Sequence, residues 1–239
     1  MPKQYKLFVT TMPEHAVGIR EILEDSGRIY ELCVVENRGR DVLPFIRVLP
    51  KLLGQGFDLV VKVHTKKSPH RDDGALWLGD ILEKLLPDEA LAHAVHAFTQ
   101  DPSLGMIGPD GHFVSISSYM GANKSRVFSI GAQLGLSNSE IVEQGFFAGT
   151  MFIARTKALE PLHHLALAED FEPELGQLDG TLAHALERSM ALGVIATGKR
   201  VASSASPESH STVTENYRFG RKPKLRHRLR KFLWRHGYV

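Results

Sequence analysis

The sequence predicts an α/β fold with a mainly parallel sheet flanked by helices, and three observations carry that expectation. Short apolar strands alternate with amphipathic segments of helix length from Tyr5 to Lys67. Parallel neighbours need a crossover connection of about that size. Polar clusters then stand at the carboxyl ends of the strands: Thr10 and Thr11, Asn37 to Asp41, and His64 to Lys67. Ligands of open α/β sheets bind beyond those ends, so the convergence marks a candidate site.

The run YKLFVTT reads as a strand, and Val17, Ile19, Ile22 and Leu23 follow at helical spacing. A second strand spans Ile29 to Val35, and ENRGRD makes a polar turn. Val42, Phe45, Ile46, Leu49, Leu52 and Leu53 form the apolar face of the next helix, which Gly54 and Gly56 close in the manner of a left-handed cap. FDLVVKVHT is the third strand. Helices are expected through Trp77 to Leu86 and Glu89 to Thr99, and a strand at Leu104 to Gly108. The Gly-, Ser- and Asn-rich stretch from Asp110 to Asn138 reads as a long loop beside the site. FFAGTMFIAR reads as one strand and LDGTLAHALERSMALG as a helix capped by Asp179. A last strand, Val194 to Val201, precedes a Ser-rich linker. The expected organisation is thus a domain over 1–201, a linker over 202–216 and a basic tail over 217–239.

At 239 residues and 43% hydrophobic content, the chain can bury one large core. No run approaches the roughly 18 apolar residues that cross a bilayer, and the start MPKQYKLFVTT lacks a secretory apolar stretch. A cytoplasmic protein is expected. The single cysteine, Cys33, excludes an internal disulfide and a thiolate pair for zinc. The formal charge of +2 hides an asymmetry: nine of the 29 basic residues lie in Tyr217 to Val239 with no acidic one, which leaves 20 basic against 27 acidic residues before them.

The segments NRGRDVLPFI, DLVVKVHTKKS, FFAGTMFIAR and DGTLAHALER, in this order and spacing, resemble the rhamnan synthesis protein F family over roughly residues 5 to 200. The resemblance implies a nucleotide-sugar glycosyltransferase associated with rhamnose polymers of the bacterial envelope. A more distant similarity is to the Rossmann-like GT-A architecture. It aligns YKLFVTT with the second strand of that pattern, ELCVVENRGRD with the third and DLVVKVHTKKS with the fourth. The usual first strand has no counterpart here.

As chemistry, NRGRD offers the guanidinium forks of Arg38 and Arg40 for phosphate or pyrimidine carbonyls. Gly39 allows close approach, and Asp41 can accept from ribose hydroxyls. With Thr10, Thr11 and Asn37 this is the candidate donor-nucleotide site; the plain alternative is a charged turn in which Asp41 caps the next helix. HTKKS stands where metal-dependent relatives carry paired carboxylates. His64, Lys66 and Lys67 could stabilise a departing diphosphate directly, so no metal and no cofactor are expected; two adjacent lysines are otherwise a solvated basic loop. The GT-A similarity implies that Asp179, at the start of its helix, deprotonates the acceptor hydroxyl, with Glu172 and Glu174 as rival bases; a plain cap is the alternative. Trp77, Phe147 and Gly149 are candidate acceptor-side residues, although an apolar strand with a glycine is more often core.

In the tail, Leu225, Leu229, Phe232, Leu233 and Trp234 interleave with basic residues at helical spacing, the pattern of an interfacial helix on anionic lipid. A helix packed on the acidic body would look the same. The expected partners are therefore a nucleotide-sugar donor, with dTDP-rhamnose as one candidate, a glycan or lipid-linked acceptor, and an anionic membrane on its cytoplasmic face. No specific nucleic-acid partner is expected, because the body lacks the standard motifs. A non-catalytic glycosyltransferase-like scaffold or glycan-binding domain is the rival reading.

Overall fold

The computed structural model of the chain describes residues 5–65 and 73–219. The first strand, β1 (Leu7–Thr11), pairs in parallel with β2 (Tyr30–Val34), and α1 (Ala16–Asp25) makes the crossover between them. Helix α2 (Val42–Gly54) buries Val42, Leu43, Phe45, Ile46, Val48, Leu49 and Leu52. It ends as expected near its glycines: Gly54 is the last helical residue, and Gly56 takes the left-handed conformation at φ +72°. Next come β3 (Leu59–Lys62), α3 (Gly74–Leu85), α4 (Asp88–Gln100) and β4 (Leu104–Gly108).

The stretch from Asp110 to Asn138 is ordered secondary structure, which corrects the expectation of a long loop. It holds β5 (Phe113–Ser115), α5 (Ile116–Tyr119) and α6 (Lys124–Gln133), and leads into α7 (Asn138–Glu143). Serines that look like loop formers act as caps. Ser115 accepts from the Ser118 amide, and Ser137 forms a reciprocal capping box with Glu140.

FFAGTMFIAR is two strands rather than one, β6 (Gly145–Phe147) and β7 (Phe152–Arg155), because Gly149 and Thr150 both turn through positive φ. Helix α8 (Glu160–His164), the long α9 (Leu182–Ile195) and β8 (Arg200–Ser203) complete the chain order. The expected strand from Val194 therefore begins at Arg200, and the expected domain boundary at 201 falls inside β8.

The main sheet has the order β3-β7-β4-β8. It is mixed, not mainly parallel: β7 runs antiparallel to both β3 and β4, and only β4 and β8 are parallel. Among the described residues β1 and β2 form their own two-stranded sheet, and β5 pairs antiparallel with β6.

Side-chain alternation places a core on each face of the main sheet. Met106, Phe152, Ala154 and Val201 join α2 and α9 in one cluster, while Leu104, Ile107, Ile153 and Ala202 join Trp77, Ile81 and Phe98 of α3 and α4 in the other. Three layers result, helix on sheet on helix. The segment after β8 lies along this body: the Ser211 amide donates to Val201 O at 2.9 Å, and Tyr217 accepts from Trp77 Nε1 at 2.8 Å. The basic tail from Gly220 onward lies outside the described residues. Among those described, no helix is long and apolar enough to cross a membrane.

Candidate functional site

The chain leaves β2 through Val35, whose amide donates to Thr11 O at 2.8 Å, so Thr10 and Thr11 stand half-buried beside the entry to NRGRD. Within that turn Asn37 is exposed, while Gly39 and Arg40 take φ +64° and +56°. Gly39 needs its missing side chain, because a Cβ there would collide with the Phe171 ring and with Leu43. Arg40 adopts a conformation rare for a residue with a side chain. Both arginines grip the segment that precedes α9. Arg38 donates from Nε to Phe171 O at 2.5 Å and from Nη2 to Glu169 O at 2.8 Å, and Arg40 donates to Gln177 O and lies 3.7 Å from Glu174. Much of the guanidinium surface expected to face a ligand is thus used in joining NRGRD to residues 169–177.

Asp41 begins α2 without making a side-chain cap bond. Its carboxylate turns instead to Lys62 at the end of β3: Lys62 Nζ donates to Asp41 Oδ2 at 2.7 Å, to Thr150 O at 2.8 Å and to Thr150 Oγ1 at 3.1 Å. The Lys62 side chain is 4% exposed and lies over the rings of Phe45 and Phe152. A buried ammonium has to be paired, and this one has a full set of acceptors. The Thr150 hydroxyl also donates to Asp41, and His64 Nε2 approaches the same carboxylate at 3.4 Å. Burial pushes the Asp41 carboxyl up, but the Lys62 and His64 charges and the bonds from Lys62 and Thr150 outweigh it and hold the group well below the usual range.

His64 Nε2 lies 2.7 Å from Gly149 O. A carbonyl only accepts, so Nε2 carries the proton of that bond. The Gly149 amide in turn donates to Glu187 Oε1 of α9 at 2.8 Å. The 149–150 turn is therefore clamped from β3 and α9 together. Thr150, β-branched at φ 54°, is a strained residue held by its surroundings.

At the start of α9 the cap is Thr181, not Asp179. Thr181 and His184 form the capping box, and the distant Glu172 accepts from the Leu182 amide at 2.9 Å. A residue two positions nearer the helix thus takes the role expected of Asp179. The Asp179 carboxylate accepts from the Ala122 amide at 3.0 Å, from Asn123 Nδ2 at 2.6 Å and from Arg188 Nη2 at 3.3 Å. Burial raises its pKa, but these donors dominate and keep it low. Glu172 likewise pairs with Arg126 at 2.5 Å. Glu174 has only Arg40 as an ionic partner among the described residues.

Trp77 and Phe147 are 5% and 3% exposed, so their rings pack against protein and offer no open stacking face. Gly149 faces the Trp77 indole so closely that a Cβ would overlap it. Lys66 and Lys67 lie outside the described residues. Among the described residues no group of three or more His, Cys, Asp or Glu is placed to hold a metal ion. Sequence reasoning missed Lys62, Thr150, Glu187 and His184; the available signal was a lone lysine inside an apolar strand, which demands a carboxylate partner.

The structure thus gathers NRGRD, the end of β3, the 149–150 turn and the start of α9 into one polar centre. The chain is 37% identical over 223 residues to "Uncharacterized protein WxcX" of Xanthomonas campestris pv. campestris strain B100, and equally to that of strain ATCC 33913. The match covers 91% of this chain and 32% of each relative, so the chain spans about a third of the length of these curated relatives. No solved structure matches it. The family model described as rhamnan synthesis protein F matches residues 1–199, a span that holds β1 to β7 and the residues of the polar centre, and the chain therefore belongs to the rhamnan synthesis protein F family.

Proposed function

We propose that the chain is a glycosyltransferase unit that takes a nucleotide-diphosphate sugar, rhamnose or another deoxysugar, and builds a bacterial cell-surface polysaccharide. The family's description supports the polysaccharide, and one structural observation supports the site: Asp41, Lys62, His64 and Thr150 lock the NRGRD turn to the end of β3. The nucleotide is assigned to the crevice beside Thr10, Thr11, Asn37 and Arg40, with His64, Lys66 and Lys67 at the diphosphate. Such a cationic loop stabilises charge as the leaving group departs.

Glu174 fits the base better than Asp179. A general base needs a lone pair directed at the acceptor and a pKa near the working pH, whereas the Asp179 oxygens already accept three hydrogen bonds and its pKa is depressed. That same saturation favours the second reading, a non-catalytic scaffold of a polysaccharide-synthesis complex. Radiolabelled sugar transfer from a nucleotide donor to a glycan acceptor decides between them. Turnover supports the enzyme; donor binding without turnover in the full-length protein supports the scaffold. On the proposed reading the basic residues that follow Phe219 in the tail over 217–239 attach the protein to the anionic inner membrane face, while Tyr217 and Phe219 pack on the body, and vesicle flotation with and without residues 220–239 tests this.

A further inference from the structure

His184 sits in the first turn of α9, where 6% of its surface is exposed. The Thr181 amide donates to its Nδ1 at 3.3 Å, and the Thr181 hydroxyl lies 2.7 Å from the same atom. A backbone amide can only donate, so Nδ1 is the acceptor and the ring proton resides on Nε2. Burial, followed by the Arg40 charge, depresses the pKa of this imidazole and keeps it neutral. Nε2 is buried and, among the described residues, has no hydrogen-bond partner. Orphaned buried N–H groups are rare, since each costs about 1–3 kcal/mol of lost hydration.

The charges that act on this ring are Arg40, Glu187, Asp179 and Arg188. Each has a partner already: Arg40 with Glu174 at 3.7 Å, Arg188 with Asp179 at 3.3 Å, and Glu187 with the Gly149 amide at 2.8 Å. A neutral donor among balanced pairs suits an uncharged oxygen rather than a phosphate. We infer that the His184 Nε2–H is a ligand contact that donates to a hydroxyl or ring oxygen of the glycosyl unit of the nucleotide sugar. The segment from Glu174 to Gly180 leads into this turn and contains no helix or strand, with Leu175 81% exposed and Leu178 60% exposed. Its displacement by an entering sugar breaks no ladder or helix bonds, and gives up the contacts of Arg40 with Glu174 and Gln177. This assignment rests on the glycosyltransferase reading and adds the residue that recognises the sugar.

The test compares affinities for UDP, dTDP and GDP with those for their sugar conjugates by calorimetry. His184→Glu completes an ordinary Thr-x-x-Glu capping box and removes every donor, and His184→Leu removes every donor without adding charge. Both variants are expected to bind the nucleoside diphosphate as the wild type does and to lose about threefold to tenfold in affinity for the conjugate, the worth of one hydrogen bond. Equal conjugate-to-diphosphate affinity ratios in wild type and both variants would overturn the assignment while leaving the donor site standing. Equal loss for diphosphate and conjugate would also overturn it, by showing that His184 only supports the fold. Absence of binding by the wild type to every nucleotide in the panel would overturn both readings.

Discussion

Lys62 Nζ donates to the Asp41 carboxylate at 2.7 Å, joining a residue at the end of β3 to the one that precedes α2 across 21 positions of sequence. With Lys62 4% exposed and Asp41 22% exposed, this pair is partly shielded from solvent and only weakly screened. Removing Asp41 leaves the buried Lys62 ammonium without its counter-charge, and removing Lys62 leaves the Asp41 carboxylate with only Thr150 and His64 beside it. Lys62→Met is therefore expected to destabilise the fold by about 3–5 kcal/mol, and Lys62→Met with Asp41→Asn by less than the sum of the single changes. Urea unfolding of the four proteins measures the coupling; additive losses would show that the two groups do not act as a pair.

Two glycines are expected to resist any side chain, for the same geometric reason. Gly39 and Gly149 combine positive φ with a ring packed against the Cα, Phe171 for one and Trp77 for the other, whereas Gly27 has positive φ and open space. Gly27→Ala is expected to cost about 1 kcal/mol, the left-handed penalty alone. Gly39→Ala and Gly149→Ala add a steric clash and are expected to cost at least about 2 kcal/mol. Thermal melts of the three variants rank them, and equal losses would contradict the packing described.

That turn also shows what the sequence can and cannot reveal. The alternation from β1 to β3, the apolar face of α2 and the helices flanking the sheet were legible, because period and length distinguish such elements. The direction of β7 was not: Phe146, Phe147, Phe152 and Ile153 read as one apolar run, and only the positive φ of Gly149 and Thr150 splits it. Serines 115 and 137 carry the composition of loops but cap helices, so α5 and α7 were hidden. At the site, the grouping of Asp41 with His64 followed from strand ends in an α/β sheet. The commitment of Arg38 and Arg40 to residues 169–177 depends on contacts more than 130 positions apart, for which no local pattern exists.

Acid is expected to unfold the protein in two stages. Burial is the main force that depresses the His112 and His184 pKa values, so the folded chain refuses protons that the unfolded chain accepts. Stability is then full above the unfolded imidazole value of about 6.5 and declines as the pH falls through it. The depressed carboxyls of Asp41, Asp80 and Asp179 contribute stability above about pH 4, which is lost as the pH drops further toward their folded values. Urea midpoints from pH 8 to 3 should show both declines, and His112→Gln should flatten the upper one. A constant midpoint between pH 8 and 5 would contradict the burial of neutral histidines.

The two carboxylates near α9 are expected to separate by function. Glu174→Gln should lower sugar transfer by about a hundredfold to ten-thousandfold with little effect on stability, as loss of a general base does. Asp179→Asn should chiefly lower stability, because it weakens the bonds to Ala122, Asn123 and Arg188. Single-turnover rates and melting temperatures of both variants make the comparison; the opposite pattern would return the base to Asp179.

The most direct test of the proposed donor site is a calorimetric titration of the folded chain with UDP, dTDP and GDP, repeated on Arg40→Ala and His64→Ala. One diphosphate should bind the wild type, and each substitution should weaken it by about tenfold or more, the scale of a lost charge-assisted bond. No heat of binding from any of the three at millimolar concentration, or unchanged affinity in both folded variants, would contradict a nucleotide site at the ends of β2 and β3.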